Sequence, residues 1–291
     1  MNIFLIGSSG FLGSNILHNC PNSISITGSH FQNIQNFSLE LDVRNKNKMK
    51  SIITSKYDVV IHCGSLRINK CENDPKLAYS INVDGTKNLV EICKQNDLHL
   101  IYISSDAIFD GTENLNNEDT IPKPLGIFGK TKVESESIIR ENLENYSILR
   151  TSNLFGWDTK QQNFAQWIVS ELSQNKSIKV ISDQIISPSY CPNIAKLVLE
   201  SASKKINGTF HVSGKESITR EQFARKIAQT FNLNEKLLIP TPISELNLDM
   251  KRGKNCSLDV TKTQSVFETS ILSLNEALSD MYYSKENPYS K

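Results

Sequence analysis

The sequence predicts an α/β fold, a doubly wound parallel sheet of the Rossmann type with a smaller α+β lobe at its C-terminal end. Three observations predict it. Short apolar runs alternate with longer amphipathic stretches through the first half of the chain, several runs are apolar on consecutive residues, and a glycine-rich turn follows the first of them. Alternating strand and helix implies crossovers, hence parallel neighbours. A run such as Val59-Val60-Ile61 suits a sheet covered on both faces. With 291 residues, the chain can bury roughly 75% of its unfolded surface without staples.

Residues 3–6, 23–27, 58–62, 98–104 and 146–150 are predicted strands. Between them, residues 75–94 carry Leu77, Ile81, Leu89 and Ile92 at near-helical spacing, and residues 129–142 set Val133, Ser137 and Ile138 on one face. This regular part, residues 1–150, reads as a dinucleotide-binding domain. Past Thr151 the rhythm loosens, with helices predicted over 164–172, 193–203 and 219–231 and strands over 179–181 and 209–212. Residues 151–285 therefore read as a smaller substrate lobe, interleaved with the first domain at a soft boundary. Pro240-Thr241-Pro242 is read as the end of a helical region, and the tail from Glu286 as frayed.

Composition excludes several classes of partner. Lys plus Arg is 32 against 31 Asp plus Glu, a net charge of +1, so there is no electrostatic footprint for nucleic acid or anionic lipid. Hydrophobic residues at 38% and charged residues at 22% are those of a folding chain. No apolar run approaches the roughly 20 residues of a membrane span, and the five apolar positions before Gly7 are too few for a signal-peptide core, so a cytoplasmic location is expected. Six scattered cysteines without a Cys-x-x-Cys pair read as reduced thiols, and five scattered histidines form no ligand cluster; no metal is expected. A homodimer is the assembly allowed for, although no residue pattern specifies it.

Gly7-Ser8-Ser9-Gly10-Phe11-Leu12-Gly13 follows the first strand and opens a helix. Gly7 permits the tight turn, Gly10 lets backbone approach a diphosphate, and Gly13 allows close helix packing; Ser9, Phe11 and Leu12 share the turn, and the helix N-terminus supplies amide donors. An ordinary strand-to-helix turn is the alternative, and position and context favour a pyridine dinucleotide. The spacing Gly-x-x-Gly-x-x-Gly is the variant associated with short-chain dehydrogenase-type folds. At the end of the second strand, Thr27-Gly28-Ser29-His30 lacks the carboxylate that would bind the ribose hydroxyls of NAD. Ser29 and His30 are candidates for a 2′-phosphate, which places NADP ahead of NAD; the alternative is that both are loop polars. Asp42 and Val43 fall where an adenine contact is expected.

Further stretches, in order, are Asp58-Val59-Val60-Ile61-His62-Cys63-Gly64, Cys71-Glu72-Asn73-Asp74-Pro75, Ala78-Tyr79-Ser80-Ile81-Asn82-Val83 and Ile103-Ser104-Ser105-Asp106-Ala107-Ile108-Phe109-Asp110-Gly111. After them come Gly129-Lys130-Thr131-Lys132 with Glu136, Arg150-Thr151-Ser152, Asp183-Gln184 with Ser187-Pro188, and Asn255-Cys256-Ser257-Leu258-Asp259. Over nearly its whole length the chain thus resembles the extended short-chain dehydrogenase/reductase superfamily, and within it the dTDP-4-dehydrorhamnose reductase branch. The resemblance implies a catalytic hydroxyl at Ser105, a lysine at Lys132 and a tyrosine four residues before that lysine. It adds Cys63, Gly64, Ser65, Asn82 and Lys132 to the cofactor site, and Ser105, Asp106, Ala107, Arg150, Asn153 and Gln184 to the substrate site. Arg150 reads equally as a diphosphate clamp or as the partner of an internal carboxylate. Asn82 reads as support for a helix defect near the lysine or as a helix cap.

Position 128 is phenylalanine. A tyrosine there would protonate the ketone oxygen, its pKa lowered by the lysine from about 10; loss of such an acid typically costs about 10²- to 10⁴-fold in rate. Three explanations stand: a Tyr→Phe substitution that preserves shape and stops turnover, a proton routed through Ser105, Asp106 or water, or a non-catalytic binder. Ala107 and Asn153 replace aromatic residues usual in the family near the sugar, which opens the pocket and broadens the substrate class. Ala107 also disfavours dehydration, which would call for Asp-Glu after Ser105. The resemblance therefore implies an NAD(P)-dependent oxidoreductase acting on a nucleotide-linked keto sugar, at C4, in deoxysugar and polysaccharide biosynthesis. Its rival is a regulatory or scaffolding subunit that binds NADP without turnover.

Overall fold

The computed structural model describes residues 1–31, 38–160, 162–246 and 253–289. The chain opens with β1 (Asn2–Ile6), α1 (Phe11–His18), β2 (Ser25–His30), β3 (Leu39–Glu40), α2 (Lys46–Ile52) and β4 (Val59–His62). It continues through α3 (Ile68–Asn73), α4 (Pro75–Ala78), a π-helical turn (Tyr79–Asp84), α5 (Gly85–Asn96), β5 (His99–Ser105), α6 (Ile127–Asn142) and β6 (Tyr146–Thr151). Then come β7 (Leu154–Phe155), α7 (Phe164–Ser173), β8 (Ile178–Ile181), β9 (Ile185–Ile186), β10 (Ser189–Tyr190) and α8 (Cys191–Lys204). The last elements are β11 (Gly208–His211), β12 (Ile218–Thr219), α9 (Arg220–Thr230), β13 (Leu238–Thr241), α10 (Thr261–Val266) and α11 (Leu274–Tyr283).

Seven strands form one parallel sheet in the order β11-β6-β5-β4-β1-β2-β3. Both faces of the central strands are covered, which is why β1, β4 and β5 carry consecutive apolar residues. Ile3, Leu5, Val59, Ile61 and Ile101 face α1 and α8, while Phe4, Ile6, Val60, Leu100 and Tyr102 face α2, α5 and α6. This is period-two alternation with no polar side; each buried aliphatic or aromatic side chain contributes about 1.5–3 kcal/mol. The strand order reverses between β1 and β4, and a crevice opens there at the carboxyl ends of the strands.

A second core gathers α7, α9 and α11 around β8 and β13, with Phe155, Phe164 and Phe223 packed ring against ring. Among the described residues, three small two-stranded sheets, β10-β7, β12-β9 and β13-β8, lie outside the main one.

The structure differs from the sequence reading in several elements. Residues 209–212, expected in the smaller lobe, supply β11, which pairs with β6 as the outer strand of the main sheet, Phe210 opposite Leu149. Sheet membership depends on long-range pairing, which a short apolar run does not encode. Pro240 ends no helix: it lies in β13 opposite Val180, at the edge of a two-stranded sheet where its missing N–H costs nothing. The helix expected over 75–94 is present from Pro75 to Asn96, with a π-helical segment at Tyr79–Asp84 inside it. The described tail is anchored rather than frayed: Asn287 is buried and donates to Tyr282 O at 2.6 Å, and Tyr289 lies 6.1 Å from the Trp157 ring.

Candidate functional site

At the crevice, β1 runs into Gly7, whose φ of +81° suits glycine. A Cβ on Gly7 would stand 2.9 Å from Gly64 N, in the loop after β4, and one on Gly13 would stand 2.2 Å from Gly7 O. α1 is thereby pressed onto the turn. Its N-cap, Gly10, offers no side-chain hydrogen bond, so the first-turn amides keep their donor capacity for an anion. Lys160 reaches over from the second half of the chain and donates to Ser9 O at 3.0 Å.

A cavity of about 410 Å³ opens on this turn. Of the expected cofactor residues, Gly7, Ser9, Gly10, Ser29, His30, Asp42, Val43, Cys63, Gly64 and Ser65 line it. Phe11, Leu12 and Gly13 do not: the Leu12 side chain is in the core, Phe11 packs against it, and what these residues can offer a ligand is backbone. Ser29 and His30 end β2, where Ser29 Oγ bonds Leu5 O at 3.4 Å and His30 Nδ1 bonds Ser38 Oγ at 2.5 Å. Asp42 is gripped by Arg44 through Nε at 3.0 Å and Nη2 at 2.6 Å, which holds its carboxyl below the usual range. The Arg44 guanidinium also lies 5.7 Å from the Phe31 ring centroid. Phe31, Arg67 and Lys70 line the cavity as well. Sequence reasoning missed all three, because their placement comes from the turn after β2 and the start of α3 rather than from any motif.

A second cavity, about 400 Å³, adjoins the first at Cys63 and Ser65, which line both. It brings together Ser105, Asp106, Ala107, Phe128, Lys132, Asn153 and Gln184. Lys132 is 5% exposed; its Nζ donates to Ile103 O at 2.8 Å and lies 4.7 Å and 5.6 Å from the Tyr102 and Phe128 ring centroids. Burial and the Lys132 charge push the His62 imidazole down to about 3, so it is neutral; burial pushes the Cys63 thiol up to about 12 against the pull of Lys132. Ser105 Oγ donates to Asp106 Oδ1 at 2.9 Å and accepts from Ala107 N at 3.2 Å. Asp106 Oδ2 accepts from Ser152 Oγ at 2.6 Å and from Asn153 Nδ2 at 3.4 Å. Burial raises the Asp106 pKa, opposed by the hydrogen bonds from Ser152 and Ser105.

Two expected residues lie elsewhere. Arg150 lines neither cavity; at 2% exposure it grips the fully buried Glu136 through Nε at 3.0 Å and Nη2 at 2.8 Å. Burial alone would raise the Glu136 carboxyl; the guanidinium outweighs it and holds the group below the ordinary range. The clamp reading of Arg150 is thus replaced by an internal ion pair tying β6 to α6. Asn82, 1% exposed, also lines neither cavity. It sits in the π turn, accepts from Leu66 N at 2.8 Å and donates to Thr131 Oγ1 at 3.0 Å, beside Lys132. Its carbonyl accepts from Thr86 and Ser135 hydroxyls. Asn82 positions the cofactor-side loop against α6 instead of touching a ligand.

Two charged residues of the second cavity were not foreseen. Arg220, the first residue of α9, donates to Gln184 Oε1 at 2.5 Å and Asn153 Oδ1 at 2.7 Å. Glu72 accepts from Phe128 N at 3.3 Å at the start of α6. Neither carries a local signal: each is a charged residue near a helix terminus, distant in sequence from its partners.

Among the described residues there is no helix long and apolar enough to cross a membrane and no cluster of three or more metal-ligating side chains.

Comparison with known proteins bears directly on this arrangement. The chain is 27% identical over 298 residues to the probable low-salt glycan biosynthesis reductase of Haloferax volcanii, covering 96% of this chain and 99% of that one. It is 31% identical over 274 residues to methionine adenosyltransferase 2 subunit beta of Pongo abelii, covering 91% and 82%. The crystal structure of dTDP-4-dehydrorhamnose reductase from Bacillus anthracis in complex with NADP matches with a TM-score of 0.87 over 97% of this chain and 98% of that one; at 24% identity it speaks to the fold. The model of the RmlD substrate binding domain matches residues 1–286. On this match, nearly end to end, the chain belongs to the RmlD family, in the sugar-nucleotide reductase branch of the extended short-chain dehydrogenase/reductase fold.

Proposed function

We propose that the protein is an NADP-dependent reductase of a nucleotide-linked 4-keto sugar, working in deoxysugar assembly for a glycan. The observation that carries this reading is the junction of the two cavities at Cys63 and Ser65, with a bare-amide turn in the first and Ser105 and Lys132 in the second. The cradle fits a dinucleotide: the Gly7–Gly13 contact leaves no room for a Cβ, and the α1 amides are uncapped. A reduced pyridine nucleotide bound there supplies hydride to a ketone carbon. The Ser105 hydroxyl holds the ketone oxygen, and the Lys132 ammonium, kept from water, stabilises negative charge on it. The neutral His62 beneath adds no competing charge. Asn153, Gln184 and Arg220 present a polar wall for sugar hydroxyls or the linking phosphates.

NADP is favoured over NAD by the missing carboxylate at the end of β2 and by Arg67 and Lys70 on the cavity wall, cations that join Ser29 and His30 as candidates for a 2′-phosphate, with Arg44 held nearby on Asp42. The Haloferax relative is by name a glycan biosynthesis reductase, and the Bacillus structure holds NADP.

One observation favours a second reading. The phenyl ring at 128 has no acidic oxygen, and one relative is by name a subunit of a methionine adenosyltransferase; a chain of that kind would hold NADP without turning over. Thermal unfolding with NADPH or NADH and the consumption of NADPH with dTDP-4-dehydrorhamnose separate the two. For both, NADPH at 100 times its dissociation constant adds about 2.7 kcal/mol of stability; NADPH consumption belongs to the reductase, and stable binding with none to the subunit. Absence of any shift with either nucleotide would remove both.

A further inference from the structure

Phe128 leaves the ketone oxygen without the phenol that would protonate it, and the cavity must provide another acid if the reductase reading, on which this inference rests, is right. The ionisable groups on its wall are Cys63, Glu72, Asp106, Lys132, Arg220 and Cys256. Arg220 stays charged, and burial pushes the Cys63 and Cys256 thiols up to about 12. Lys132 gives one of its three N–H donors to Ile103 O and keeps its charge to stabilise the ketone oxygen. Glu72 is tied to the amide of Phe128 at the start of α6. Asp106 differs from these: one of its oxygens lies 2.9 Å from Ser105 Oγ, the hydroxyl already placed to hold the ketone, and the other is fixed by Ser152.

We propose that Asp106 is the proton source for ketone reduction, delivering its proton through the Ser105 hydroxyl. In the acid form the 2.9 Å contact runs in reverse: the Asp106 carboxyl donates to Ser105 Oγ, which turns its own proton toward the substrate oxygen. The electron pair enters as hydride from the reduced pyridine nucleotide, forming the new C–H bond as the carbonyl π bond breaks. The alkoxide oxygen takes the Ser105 proton, Ser105 Oγ takes the Asp106 proton, and Asp106 is left as a carboxylate to be reprotonated by solvent. Groups facing Asp106 act in both directions. Burial raises its pKa, the Arg220 guanidinium at the start of α9 lowers it, and the Cys256 thiol across the cavity stays uncharged. The acid form is the active one, so turnover falls as pH rises through the Asp106 pKa.

The test uses the full chain and Asp106→Asn, Phe128→Tyr and the double variant, with NADPH and dTDP-4-dehydrorhamnose as probes. Asp106→Asn is expected to lose about 10²- to 10⁴-fold in kcat in the native chain. In Phe128→Tyr the phenol supplies the proton, so the same change costs under about 10-fold and the alkaline fall in rate moves up. The activity of the double variant also certifies its fold. Carbon-13 NMR of the aspartate-labelled chain gives a readout independent of turnover: one carboxyl titrates above its ordinary value and vanishes in Asp106→Asn. Native turnover that survives Asp106→Asn, equal losses in both backgrounds, or loss in Glu72→Gln but not Asp106→Asn would overturn the inference while leaving the reductase reading intact. NADPH binding without turnover in any of these chains would bring down both.

Discussion

Arg150 and Glu136 illustrate how a single pair of residues resists reading from a sequence. Both stand in matching stretches, yet the sequence left Arg150 divided between a ligand clamp and an internal partner, because the pairing is made between β6 and α6. Ser105, Asp106, Phe128 and Lys132, by contrast, stand in motifs that carry the family resemblance, and they do line one cavity. The ion pair sets a residue-scale expectation. Glu136→Gln should destabilise the fold by about 3–5 kcal/mol in urea titrations near neutral pH, since it leaves the Arg150 charge buried without its partner. Because the Glu136 pKa is depressed on folding, its stabilisation is complete above the ordinary carboxylate value and is lost as pH falls through the folded value. The native chain should therefore lose stability in acid more steeply than Glu136→Gln; parallel acid profiles would refute the pair's role.

Among the elements, those buried on both faces were the legible ones. The ends of β1, β4, β5 and β6 fall within one residue of expectation because consecutive apolar residues in short runs have few other uses. β3, with two exposed residues, gave no periodic signal, and the helical spacing through Ile81 did not reveal that the segment is π-helical. The π turn depends on Asn82 bonding two partners far along the chain. The β1–α1 unit offers a sharp test. Gly13→Ala places a methyl 2.2 Å from Gly7 O and must lift α1, costing about 1–3 kcal/mol of stability and weakening NADPH binding in fluorescence titrations. Gly10→Ala meets the same carbonyl at only 3.4 Å, so its stability should change less; equal thermal shifts in both variants would show that α1 is not held by that contact.

Across the whole molecule, the two halves read as interleaved at a soft boundary near residue 150 share the main sheet. α8 packs on α1 and β11 pairs with β6, so residues well past 150 complete the layer that surrounds the glycine turn. A fragment of residues 1–150 would expose the apolar side of α1 and an unpaired edge on β6. It is expected to lack a cooperative thermal transition and to aggregate, whereas the full chain melts cooperatively; a soluble, cooperatively folding fragment would contradict this.

The late return of β11 also sets an order of events at birth. While a ribosome is still making α8, the growing polypeptide already holds six of the sheet's seven strands, but their open flank has nothing to zip against until His211 has left the exit tunnel. Translation speed through residues 152–211 then becomes a determinant of yield, and chaperones that shield nascent hydrophobic flanks find their work in that interval.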